Sequence, residues 1–177
     1  RDSESQVIDY YEVQIAKGMG IITQQHIICS QHTVNMANEF DLDVVVLERN
    51  ILDVLVSLRD FLLSEEMQNS RKRFGGFLNT GQQFLVDEEF YEMDDSERYD
   101  FLILYALPWY IHFHMTWRKY HSFFKKPPLR LTYESFFADI EGSVKQILSH
   151  CDLSHLNHKI SECLNPSGNT RLNQGLP

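Results

Sequence analysis

The most constraining feature of this sequence is a short apolar run that ends in a charged pair. Asp43–Glu48 reads DVVVLE, and Arg49 and Asn50 follow at once. A continuous apolar run without polar alternation is what a strand covered on both faces of a parallel sheet requires. Directly after it, Ile51, Val54, Leu55, Leu58, Phe61 and Leu62 recur at spacings of three and four residues. That is the signature of a helix over Ile51–Ser64 with one buried face. A strand feeding straight into a helix is half of a βαβ unit, so the chain is constrained towards an α/β fold.

The remaining elements follow the same alternation. Gly20–Ile28 (GIITQQHII) is β-branched at several positions and predicts a strand. Leu129–Tyr133 (LRLTY) predicts another, because Pro127-Pro128 stops a helix and starts an extended segment. Helices are predicted over Gln31–Glu39, over Asp95–Phe124 with Asp95 and Ser96 as caps, and over Tyr133–Cys151. Lys17-Gly18-Met19-Gly20 reads as a turn. Residues 65–95, polar and carrying Arg71-Lys72-Arg73 and Gly75-Gly76, read as an insertion or mobile loop. The expected fold is a single domain over 1–177, with a central, mostly parallel sheet flanked by helices. In such folds the ligand sits beyond the carboxyl ends of the strands.

Composition narrows the function. A formal net charge of −9 argues against nucleic-acid binding, which needs extended basic surface. It leaves room for one local basic pocket. Cys29, Cys151 and Cys163 form no CxxC pair and no zinc spacing, so they read as free thiols and no metal is expected. That usage suits a reducing compartment such as the cytoplasm. The richest apolar stretch, Phe101–Tyr120, is interrupted by Pro108, His112, His114, Arg118 and Lys119 and is read as a buried helix, so no membrane segment is expected. The first residue is Arg1, no signal peptide is visible, and Gly175-Leu176-Pro177 stops abruptly. The expectation is a chain cut from something longer.

Chemistry concentrates at the end of the first apolar run. A guanidinium at a strand's carboxyl end, here Arg49, can grip a phosphate bidentately. Ser57, eight residues on, can offer a hydroxyl to the same group if the helix runs past the ligand. Arg49-Asn50-Ile51-Leu52-Asp53-Val54-Leu55-Val56-Ser57 resembles the R-[ND]-P-x-D-[VA]-x-x-S element of the sulfotransferases that use 3′-phosphoadenosine 5′-phosphosulfate (PAPS). The proline of that element is Ile51 here. Two more matches come in the same order: Tyr133-Glu134, after a helix bearing Trp109 and Trp117, and Thr170-Arg171-Leu172-Asn173-Gln174-Gly175 near the end.

The resemblance covers roughly residues 20–177 and carries a set of expectations. It implies a three-layer P-loop-like fold. It implies PAPS as donor and adenosine 3′,5′-bisphosphate as product, with sulfonate passing to an acceptor hydroxyl or amine on a small molecule or a glycan. Arg49 and Ser57 are to hold the 3′-phosphate, Tyr133 to lie near the adenine, and Arg171, Asn173 and Gly175 to wrap the phosphate. The general base implied is His26, 23 residues before Arg49, with His32 or a carboxylate as alternatives. His112 and His114, inside a long helix, read as packing residues, and Asp53 reads as a favourable charge at a helix N-terminus. The family's N-terminal loop for the 5′-phosphosulfate has no match in this sequence, and it is expected ahead of residue 1. An upstream anchor would move the expected compartment to the Golgi lumen. Two other readings stand beside the leading one: a P-loop small-molecule kinase, and a sulfotransferase-like module that binds without catalysing. Oligomeric state leaves no trace in the sequence.

Overall fold

The computed structural model of this chain describes residues 10–65, 67–69, 78–79 and 85–164. Helices α1 (Tyr10–Met19) and α2 (Gln31–Glu39) precede strand β1 (Val45–Glu48), which passes through Arg49 and Asn50 into helix α3 (Ile51–Leu63). A short antiparallel pair, β2 (Leu78–Asn79) with β3 (Leu85–Val86), leads to helices α4 (Glu88–Glu92), α5 (Asp95–Tyr105) and α6 (Leu107–Tyr120). Strand β4 (Leu129–Thr132) runs directly into α7 (Tyr133–Ala138) and α8 (Ile140–His150), and α9 (Ile160–Leu164) follows a 3-10 turn. β4 lies parallel to β1, with Val45, Val46, Leu47 and Glu48 opposite Leu129, Arg130, Leu131 and Thr132. The chain is mixed α/β and mostly helical, and among the described residues its parallel sheet is this one pair.

Two buried clusters hold these elements. In the first, Leu55 and Leu62 of α3 meet Val86, Phe90, Leu102 and Ala106. In the second, Val46 of β1 meets Ile27, Cys29, Val34, Ala37, Trp117 and Phe124. Helix α6 joins them: Leu107 and Tyr110 lie against the first cluster and Trp117 sits inside the second. Burial also pushes the Cys29 thiol up to about 12, so it acts as a small apolar core residue. β4 is delivered to its place by polar ties. Asn38 bonds the Phe123 carbonyl (3.0 Å) and the Lys125 N–H (2.7 Å), and Lys126 pairs with Asp43 at 2.6 Å.

Several sequence expectations need correction. Gly20–Ile28 forms no strand: 21–30 is irregular, with Ile21 and Ile22 exposed. Its only buried members, Ile27 and Cys29, pack on the second cluster. The Ile27 carbonyl accepts from the Trp117 indole N–H (3.1 Å) in place of a ladder bond. Strand propensity is a preference for a pleated, half-buried surface, and most of this segment has none. The helix expected over Asp95–Phe124 breaks at Ala106, because Pro108 in the first turn of α6 cannot donate a backbone bond. Its start is capped by Asp94 in a box with Glu97, not by Asp95 or Ser96. The helix over Tyr133–Cys151 breaks at Asp139, whose carboxylate caps Gly142 of α8 at 2.8 Å. The loop expected over 65–95 gives way at its end to core: Val86 and Phe90 are fully buried. Residue 47 departs too. Val46 and Glu48 are buried on one face, but on the other Val45 is half-buried and Leu47 keeps 48% of its surface exposed, so β1 is only partly covered there.

Phe90 tests whether residues 85–92 belong to the core. Phe90→Ala is expected to lower unfolding free energy by about 3–5 kcal/mol in urea titrations, the usual loss for a buried Phe. A change below about 0.5 kcal/mol, typical of a surface site, would return this segment to the loop.

Candidate functional site

The site is a product of strand register. Glu48 stands opposite Thr132, so the two parallel strands end at the same level. Their next residues are then neighbours in space. The Arg49 guanidinium lies over the Tyr133 ring, 4.4 Å from its centroid. One step further, the Asn50 N–H donates to Glu134 Oε1 at 3.2 Å. Each strand stops because a capping residue follows. The Asn50 side chain accepts from the Leu52 N–H (2.9 Å) and starts α3. Thr132 and Ser135 exchange bonds in a capping box that starts α7.

Arg49 is half-buried, and its Nε is sealed from solvent without a hydrogen-bond partner. Among the described residues its guanidinium makes no hydrogen bond and no ion pair. An unpaired buried donor costs ~1–3 kcal/mol, so such a group calls for an explanation. Stacking on Tyr133 holds the plane of the fork, a contact of ~0.5–2 kcal/mol depending on desolvation. Tyr133 is held in turn against Phe137, with ring centroids 4.3 Å apart. Glu134 completes the rim. Its own backbone N–H and that of Asn50 hold its carboxyl below the usual carboxylate range, and the nearby Arg49 charge adds to this.

Beneath the rim lies a second polar group. Arg130 stands opposite Val46, which puts it diagonal to Glu48 on the same face of the sheet. Its Nη2 reaches both Glu48 oxygens at 2.6 Å. The Glu48 side chain is only 9% exposed, so this is a largely buried pair. His114, on α6, brings Nδ1 to 3.6 Å from Glu48 Oε1, an ion-pair distance that is too long for a hydrogen bond. His114 lies three residues before Trp117, hence on the same side of the helix.

The residues predicted from sequence fall out as follows. Arg49 and Tyr133 come together. Ser57 is exposed on α3, and no hydrogen bond among the described residues joins it to Arg49. His26 is exposed in the irregular segment, with no hydrogen bond or ion pair among the described residues. His32 is exposed near the start of α2, and His112 is exposed on α6. Arg171, Asn173 and Gly175 lie outside the described residues. Sequence reasoning gave no role to Arg130, and none beyond packing to His114. One signal was available, since an arginine inside a buried strand needs an acid and β1 carries Glu48 as its only one. Among the described residues no group of acidic, His and Cys side chains is placed to hold a metal ion. No helix among them is long and apolar enough to cross a membrane. No family model matches the chain, and neither a curated protein nor a solved structure matches it.

Two outcomes follow. Arg130→Met leaves a buried carboxylate unpaired and is expected to cost about 3 kcal/mol in chemical denaturation, the low end for breaking such a pair because Arg130 is partly exposed. Adding Glu48→Gln should recover much of that loss; no recovery would mean that the pair is not what Arg130 stabilises. For Glu134, a carboxyl held low in the fold contributes stability above its unfolded value and loses it as pH falls through the folded value. Glu134→Gln should therefore flatten the acid limb of the stability–pH curve, and an unchanged limb would contradict the Asn50 bridge.

Proposed function

We propose that this chain carries the donor-nucleotide site of a sulfotransferase, which passes a sulfonate group from PAPS to an acceptor hydroxyl or amine. The observation that carries the reading is the Arg49–Tyr133 pair. These two residues, assigned to the nucleotide by the sequence resemblance, are neighbours at the carboxyl ends of parallel strands. The guanidinium is half-buried, makes no hydrogen bond or ion pair among the described residues, and has an aromatic face beside it. A phosphate with an adjoining purine suits that set: the fork binds the phosphate in charge-assisted bonds and the ring offers a stacking surface.

PAPS supplies an activated sulfonate with adenosine 3′,5′-bisphosphate as its leaving group. The chain's share of the work is binding and orientation. Arg49 would hold the 3′-phosphate, with Ser57 adding a hydroxyl from α3. Tyr133 would limit where the adenine lies. Arg171, Asn173 and Gly175 belong to the same reading as the segment closing over the phosphate. The three-layer P-loop-like architecture goes with it as well, β1 and β4 being two strands of its central sheet. The acceptor, a small molecule or a glycan, would approach the same strand ends.

Calorimetric titration of the chain with adenosine 3′,5′-bisphosphate and with adenosine 5′-monophosphate tests this reading. The bisphosphate should bind roughly 10- to 100-fold tighter, the worth of a hydrogen-bonded charge pair at ~1.5–3 kcal/mol. Arg49→Ala should erase the difference. Equal affinities in the parent chain would remove the 3′-phosphate assignment.

A further inference from the structure

The sequence pointed to His26 as the proton acceptor, but the fold gives that residue little to work with. A general base needs a fixed position and a partner that sets its tautomer. His26 is exposed and has neither a hydrogen bond nor an ion pair among the described residues. His114 has a fixed position and an acid beside it. Its helix is pinned by Trp117, whose indole N–H bonds the Ile27 carbonyl at 3.1 Å. The Phe113 ring meets the imidazole edge-on at 5.7 Å. Its side chain is 16% exposed, and Nδ1 faces the Glu48 carboxylate. Nε2 has no hydrogen-bond partner among the described residues, yet it is not sealed away as the Arg49 and Arg130 Nε atoms are.

Resting on the function proposed above, we infer that Glu48 and His114 are the proton-accepting pair of this site, Glu48 orienting the imidazole through Nδ1 and His114 taking the acceptor's proton on Nε2. Glu48 is the residue immediately before Arg49, so one strand end supplies both the anion anchor and the orienting acid. Glu48 from β1 faces the imidazole, Arg130 from β4 pairs with that same carboxylate, and the Phe113 ring of its own helix meets the imidazole edge-on. Arg130 holds the Glu48 carboxylate in place at 2.6 Å and balances its charge. The 3.6 Å gap between Nδ1 and Oε1 is of the kind that tightens when an imidazolium forms, as catalytic contacts do in the loaded enzyme. Glu48 is thus a positioning residue, acting through His114.

The acceptor's O–H or N–H bond breaks and its proton passes to Nε2. The electron pair left on the acceptor forms the new bond to sulfur. The bond from sulfur to the bridging phosphate oxygen breaks, and adenosine 3′,5′-bisphosphate leaves with that pair. The imidazolium, paired with Glu48, then returns its proton to water.

Long-range proton–nitrogen spectra of the histidine-labelled chain test the pair without turnover. Neutral His114 should carry its proton on Nδ1, the nitrogen that faces the Glu48 carboxylate. A proton on Nε2 overturns the pair even if the bisphosphate binds. In donor hydrolysis, where water is the acceptor, His114→Gln should slow the reaction by ~10²–10⁴-fold with bisphosphate affinity kept within about twofold. A larger loss from His26→Gln overturns the assignment. Failure of the parent chain to bind the bisphosphate is a different result: it removes the function proposed above, whatever tautomer His114 shows.

Discussion

Everything at this site depends on the parallel register of β1 and β4. Four residue pairs, from Val45–Leu129 to Glu48–Thr132, bring two strand ends to one level. The residues that follow then meet although they are far apart in sequence, Asn50 and Glu134 being 84 positions apart. A slip of one residue would move Tyr133 from Arg49 and turn Arg130 away from Glu48, since side chains alternate between faces. The register is defended outside the ladder. Asn38 grips both sides of the turn before Pro127-Pro128, and Lys126 is tied to Asp43 and Asp152. The prolines then leave the chain few conformations other than extended ones.

The second constraint is electrostatic. The chain as a whole is acidic, at −9, yet its strand ends gather two arginines. They do different work. Arg130 is spent internally on Glu48, which keeps a mostly buried carboxylate from standing alone. Arg49 makes no ion pair among the described residues; the Tyr133 face supports it, and the Glu134 carboxylate is near enough to feel its charge. The neighbouring residues Glu48 and Arg49 therefore face different partners, Glu48 the Arg130 guanidinium and His114, Arg49 the Tyr133 ring.

Sequence alone showed the frame but not its joints. The runs DVVVLE and LRLT were legible as strands because an apolar stretch and a proline pair leave little else. The face of α3 was legible through its spacing, and Leu55 and Leu62 are indeed buried, though Phe61 is half in water. Gly20–Ile28 misled because β-branched residues mark strands only where a sheet receives them. Pro108 was visible, yet its power to break a helix was outweighed by the apolar pattern around it. Asp139 hid inside another such pattern. At the site, Arg49 and Tyr133 could each be singled out by resemblance, but their contact needs the register. The Glu48–Arg130 pair, 82 residues apart, and the approach of His114 are tertiary facts that no local pattern encodes.

A double-mutant cycle on Arg49 and Tyr133, read out as affinity for adenosine 3′,5′-bisphosphate, addresses the account most directly. If the register makes the two residues one binding unit, Arg49→Lys and Tyr133→Leu should be non-additive, with a coupling of roughly 0.5–3 kcal/mol, as for residues in contact. Additive losses, within about 0.3 kcal/mol, would mean that the two residues act apart and that the strand ends do not form a single nucleotide site.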